Sequence, residues 1–160
     1  MIDARLHLAL DGGGLELPAE GTIAVFQPPR DSDLPGLDKD RVQIIHGFKP
    51  DYDAWAARGY NVVRTIKDRY AACIVCLPRA KAEARAVIAA ACEVCDGIVV
   101  IDGQKTDGAD SVLREMRDRV TVQGPISKAH GKMFWISEPA AEFFTDWRQG
   151  PELTEGGFWT

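Results

Sequence analysis

Six short apolar, β-prone runs punctuate the 160-residue chain: TIAVFQ (22–27), VQIIHG (42–47), YNVVRT (60–65), YAACIVCLP (70–78), GIVVID (97–102) and KMFWIS (132–137). Runs this short that hardly alternate polar with apolar read as strands buried on both faces. Helix-type segments stand between them. DARLHLAL leads to a stop at Gly12-Gly13-Gly14, although its Leu6, Leu8 and Leu10 also suit a strand. Pro50 opens DYDAWAARG, which Gly59 ends. AKAEARAVIAAACEVC (80–95) is Ala-rich and about four turns long, and Asp96-Gly97 closes it. GADSVLREMRDRV (108–120) is amphipathic, with Asp110 or Ser111 near its cap. TVQG (121–124) and KMFWIS follow with only a loop between them, which is too short for a right-handed parallel crossover. The predicted fold class is therefore α/β: doubly wound, with a mostly parallel sheet and an antiparallel last strand.

At 46% hydrophobic and 27% charged residues the composition is that of a soluble globular domain, and 160 residues suffice for one core. No apolar run approaches the roughly 18–20 residues of a membrane span. The start, MIDARLHLALDGGG, lacks the basic and apolar regions of a signal peptide, so the expected location is the cytoplasm, without membrane contact. The four cysteines should then be reduced. A net charge of −5 excludes a uniformly basic nucleic-acid binder. From Leu77 to Trp135, however, nine Lys/Arg face eight Asp/Glu, so an RNA-facing surface there would be local.

All four cysteines lie in CIVCLPRAKAEARAVIAAACEVC as two C-x-x-C pairs, Cys73/Cys76 and Cys92/Cys95. This is a zinc-site spacing. A zinc pair sits on a tight turn, whereas Cys73 and Cys76 fall within a predicted strand and point to opposite faces. Core packing is the preferred reading, and no metal site is expected.

IDGQKTDGADS (101–111) follows a strand and opens a helix, the context of an anion loop. Ala109-Asp110 stand where a phosphate loop needs Lys-Ser/Thr, so a plain strand-to-helix turn is preferred. Basic residues gather after predicted strands: Arg79 and Lys81, then Lys105, then Lys128, His130 and Lys132 before the last one. Loops following parallel strands meet at the carboxyl edge, where ligands bind. His130 has no carboxylate or thiol beside it in sequence and makes a poor lone base. G-x-S-x-G, H-E-x-x-H and G-x-G-x-x-G are absent.

A mostly parallel sheet closed by an antiparallel strand is also the outline of class I methyltransferases. CLPRAKAEARAVIAAA, GIVVIDGQKTDGADSVL and GPISKAHGKMFWI resemble the N-terminal half of the two-domain bacterial ribosomal RNA guanine-N2 methyltransferases of the small subunit. Pro78-Arg79, Lys81-Ala82-Glu83-Ala84, Gly103 to Gly108 and Gly131 carry the resemblance, which is best from Cys76 to Ile136. It implies a degenerate methyltransferase-like domain over 1–138, followed over 139–160 by a linker to a C-terminal catalytic domain. That second domain would bring S-adenosylmethionine and the catalytic motifs. In this chain Pro28-Pro29 occupies the place of the cofactor's glycine loop, and Cys76-Leu77-Pro78-Arg79 the place of the catalytic N/D-P-P-Y/F motif. No catalytic or cofactor-binding residue carries over. The expected partners are the catalytic domain of the same protein and ribosomal RNA, touched through Arg79, Lys81, Lys105, Lys128 and Lys132. The alternative is a stand-alone doubly wound module holding a small anionic ligand at the Asp102–Gly108 loop.

Overall fold

The computed structural model of the chain describes residues 2–138 and 141–148. Seven strands form one sheet: β1 (Ile23–Phe26), β2 (Val42–Ile45), β3 (Asn61–Val63), β4 (Ala72–Cys76), β5 (Val99–Gln104), β6 (Gln123–Lys128) and β7 (Gly131–Ile136). Their spatial order is β3-β2-β1-β4-β5-β7-β6. The first five are mutually parallel, and β7 runs antiparallel to both β5 and β6. The doubly wound, mostly parallel sheet whose last strand in sequence, β7, runs antiparallel between β5 and β6 is the expected architecture.

Alternation along the strands splits the core into two layers. Ile23, Val25, Ile44, Ile74 and Cys76 face one side with helix α1 (Ile2–Leu10) and Trp55 of α2 (Lys49–Ala57). Ala24, Phe26, Cys73, Val75 and Ile101 face the other, beneath α3 (Lys81–Val94) and α4 (Ala109–Arg117). Two crossovers lack an α-helix. Residues 27–41 join β1 to β2 with only a 3-10 turn at Lys39–Arg41, and residues 64–71 join β3 to β4. The first of these loops covers the sheet by burying Leu34 and packing Leu37 beside it.

Three local expectations change. The predicted strand at 121–124 is in fact Gln123–Lys128, paired along β7 through a register irregularity between Gln123 and Ile126. Gly124-Pro125 reads as a turn, but Pro needs no ladder N–H on an edge strand. Helix α4 is capped by Gly108 at φ 84°, with no side-chain hydrogen bond from Asp110 or Ser111. Gly103 lies inside β5 rather than in a loop, paired with Lys132 of β7, and an added Cβ there would sit 2.6 Å from Leu77 Cδ1. Beyond Glu138, Ala141–Trp147 forms two 3-10 turns kinked at Phe144, and both Phe144 and Trp147 are buried against α3 and α4. The remainder of the 139–160 segment, with Gly156-Gly157 and Phe158-Trp159, lies outside the described residues.

Candidate functional site

Strand order reverses between β1 and β4, and a doubly wound sheet takes its ligand at the carboxyl ends of the strands beside that switch. Here the chain itself occupies the place. After Phe26, Gln27 takes a left-handed φ of 58° and turns Pro28 back over the edge. The Pro28 carbonyl accepts two hydrogen bonds, from Trp55 Nε1 at 3.0 Å and from His46 Nε2 at 2.9 Å. Arg58 lies 4.1 Å over the Trp55 ring and donates to the carbonyls of Arg30 and Ser32 and to the Asp33 carboxylate. The loop that would have to open onto a cofactor is thus held shut from α2. The space left beside it is about 150 Å³, bounded by Ile2, Arg5, Pro29, Cys76, Leu77 and Asp102, among others. Sites for drug-sized ligands run to roughly 300–1,000 Å³.

Arg5 forms one wall of that space. It is 1% exposed, and its Nε and Nη2 reach the Asp102 carboxylate at 2.6 and 2.9 Å. Nη2 also donates to Gln104 Oε1 at 2.8 Å, and Nη1 to the Lys128 carbonyl at 2.9 Å. One guanidinium therefore ties α1 to the end of β5 and to the β6–β7 turn. Burial pushes the Asp102 carboxyl up, and the paired Arg5 opposes that shift. Gly131 is required beside this pair: a Cβ there would lie 2.4 Å from Arg5 Nη1 and 2.6 Å from the Gly103 carbonyl.

His46 has a pH consequence. It is buried, Phe48 N–H donates to its Nδ1, and Asp51 stands 3.4 Å from its Nε2. Burial lowers its pKa, with the Pro28 carbonyl and Asp51 pulling the other way. A histidine kept neutral in the fold binds its proton more readily when unfolded. Its stabilising contribution is full above the unfolded pKa and is lost as pH falls below about 6.5. The wild type is expected to lose more stability than His46→Gln between about pH 7.5 and 5, measured by urea melts. Parallel losses in the two proteins would contradict this.

The sequence-derived basic residues fall into two groups. Gly131 at the start of β7 pairs with Gln104 at the end of β5, so residues 128–132 lie on the carboxyl edge. Lys105, Lys128, His130 and Lys132 border one open cleft of about 300 Å³, together with Ser127 and Asp110. Lys132 pairs with Asp110 at 2.8 Å and holds that carboxyl below its usual range. Lys81 lies apart: it bonds Ser111 at 2.7 Å and forms an ion pair with Glu115, which Arg85 also binds. Arg79 is almost fully exposed, 3.7 Å from Asp107. Within the Asp102–Gly108 segment Asp102 is committed to Arg5, and Lys105–Asp107 forms a 3-10 turn. Cys73 and Cys76 enter opposite core layers, so they cannot converge on one ion. All four thiols are buried, and burial pushes Cys92 up to about 12.

Pattern reading missed Arg5, His46 and Trp55, because a buried Arg on an amphipathic helix shows its role only once its partner, 97 residues away, is placed.

No protein-family model and no curated protein sequence matches the chain. Solved structures do. A 16S rRNA N2 G1207 methyltransferase from T. thermophilus, in complex with AdoMet and guanosine, superposes with a TM-score of 0.64 at 16% identity, over 86% of this chain and 39% of that one. The fold is that of the class I methyltransferases. Thermoplasma acidophilum 1320 matches with a TM-score of 0.60 at 16% identity, covering 84% of this chain and 86% of the other. A ribosomal protein L11 methylase from Lactobacillus delbrueckii subsp. bulgaricus gives 0.53 at 10% identity, over 86% and 80%. The chain thus spans well under half of the T. thermophilus enzyme, and these identities relate folds only. Among the described residues, no helix is long and apolar enough to cross a membrane.

Proposed function

We propose that this chain is a non-catalytic, methyltransferase-like N-terminal domain of an S-adenosylmethionine-dependent 16S rRNA (guanine-N2-)-methyltransferase. Its work is to support a catalytic domain that follows residues 139–160 and to contact RNA from its carboxyl edge. The observation carrying this reading is the closed switch-point crevice. Trp55 and His46 hold the Pro28 carbonyl over it, and the Arg5–Asp102 pair walls the small space beside it. The residues present do not fit S-adenosylmethionine: about 150 Å³ is too small, and Pro28-Pro29 cannot supply backbone N–H groups to a cofactor. The 39% coverage of the T. thermophilus enzyme supports a one-domain share of a longer protein.

Titration calorimetry of the 160-residue chain with S-adenosylmethionine is expected to give no binding heat. Micromolar binding would overturn the non-catalytic assignment, because it requires the crevice to open.

A further inference from the structure

The β6–β7 turn stores strain that closure of the crevice does not require. Ala129 and His130 both adopt left-handed φ values, 52° and 60°, in a two-residue turn that ordinarily selects Asn-Gly. A two-residue hairpin of this kind needs φ above zero at both positions, and residues other than Gly and Asn hold it where their surroundings over-determine them. Three successive carbonyls of this turn are bound from outside. Arg5 Nη1 takes that of Lys128, Gln104 Nε2 that of Ala129 at 3.4 Å, and the Lys105 N–H that of His130 at 2.8 Å. The carbonyls are drawn onto α1 and β5, while the exposed side chains of Lys128 and His130 border the cleft with Lys105 and Lys132.

The cleft's chemistry is that of an anion site. Three lysines face one acid, Asp110, which Lys132 already neutralises. Among the described residues Lys105 and Lys128 make no ion pair within 4 Å, in a chain whose net charge is −5. Ser127 adds a hydroxyl donor, and the first turn of α4 lacks a side-chain cap for its N–H groups.

We infer that RNA backbone phosphates bind in the cleft formed by Lys105, Lys128, His130 and Lys132. The inference rests on the RNA-facing role proposed above and narrows it, because Lys81 is tied to Glu115 and Ser111 and Arg79 stands outside the cleft. Ammonium, imidazole and hydroxyl groups recognise phosphate without reading bases, so the contact positions RNA and is indifferent to its sequence.

The test is fluorescence anisotropy of the full 160-residue chain against a labelled RNA stem-loop over a range of KCl concentrations. Lys105→Gln with Lys128→Gln is expected to weaken binding about ten-fold or more at low salt and to flatten the slope of log K against log[salt] by about one to two. Arg69→Gln, at the opposite edge and paired with Asp96, should leave both unchanged. Ala129→Asn with His130→Gly relaxes the turn, so it should raise Tm while still weakening RNA binding, which separates loss of contact from loss of fold. Wild-type affinity in both double variants would overturn the inference and leave the domain reading standing. A wild-type chain without RNA affinity would remove the inference together with the RNA arm of that reading, whereas the calorimetric test addresses the non-catalytic arm separately. Inorganic phosphate shifting the His130 ring signals in a chain that ignores RNA would mark a small-anion site and also overturn it.

Discussion

Arg5→Ala is expected to cost about 3–5 kcal/mol of folding stability, a large share of the roughly 5–15 kcal/mol that holds a domain of this size together. The side chain is 1% exposed, and its removal strands the Asp102 carboxylate in a site where burial already disfavours charge. Gln104 Oε1 and the Lys128 carbonyl lose donors in the same step. Arg5→Lys should recover little, because one ammonium cannot reproduce a fork that serves Asp102, Gln104 and Lys128 at once. Asp102→Ala should be comparably damaging, since it leaves the guanidinium buried and unpaired. The double variant Arg5→Met with Asp102→Leu separates the worth of the pair from the cost of breaking it. It is expected to lie within about 1–2 kcal/mol of wild type, because replacing a buried pair by apolar groups of similar volume is often neutral. Urea melts of wild type, Arg5→Met, Asp102→Leu and the double variant give the cycle. Strict additivity of the two single losses would show that Arg5 and Asp102 act independently, contrary to the 2.6 Å contact.

The buried pair also marks the limit of pattern reading. Strands β1, β2, β4 and β5 were legible because a strand covered on both faces leaves an uninterrupted apolar run, and nothing else in the chain competes for VVID or ACIV. Helix α3 was legible from its alanines and the stop at Asp96-Gly97. Strand β6 was only partly so: its Gly124-Pro125 carries turn chemistry, and what makes it a strand is its ladder to β7. The cysteine spacing resolves into geometry, with Cys73 and Cys76 on opposite faces of β4. The crevice was legible as a loss, in the missing glycine loop, but not as a gain. Pro28 looks like a loop breaker until Trp55 and His46 are seen to converge on its carbonyl. Likewise, the basic residues were countable in sequence. Which of them share a cleft depends on the direction of β7, and that is a property of the sheet.

Phe144→Ala is expected to destabilise the chain by about 3–5 kcal/mol, and Trp147→Ala by a similar amount, although both residues lie within the 139–160 stretch that reads as linker. Phe144 is fully buried and Trp147 is 5% exposed, with ring centroids 5.0 Å apart in the layer formed with α3 and α4. Arg119 lies 4.7 Å over the Trp147 ring and holds Asp146 through two hydrogen bonds of 2.5 and 2.8 Å. The Arg119–Asp146 contact is exposed and adds little, so the expected loss comes from cavity formation under the two aromatics. The two rings touch, so their losses should sum to less than the separate values suggest. Ending the chain at Glu138 tests the same contact without a substitution, because it uncovers the apolar faces of α3 and α4 together. A fall in the urea midpoint comparable to the Phe144→Ala, Trp147→Ala double variant would extend the folding unit to at least Trp147. An unchanged midpoint would place its edge at Glu138 and make the aromatic turn a dispensable attachment. The first outcome follows from the packing, since roughly 25 cal/mol per Å² of apolar surface returned to water is a cost that two rings of this size cannot avoid.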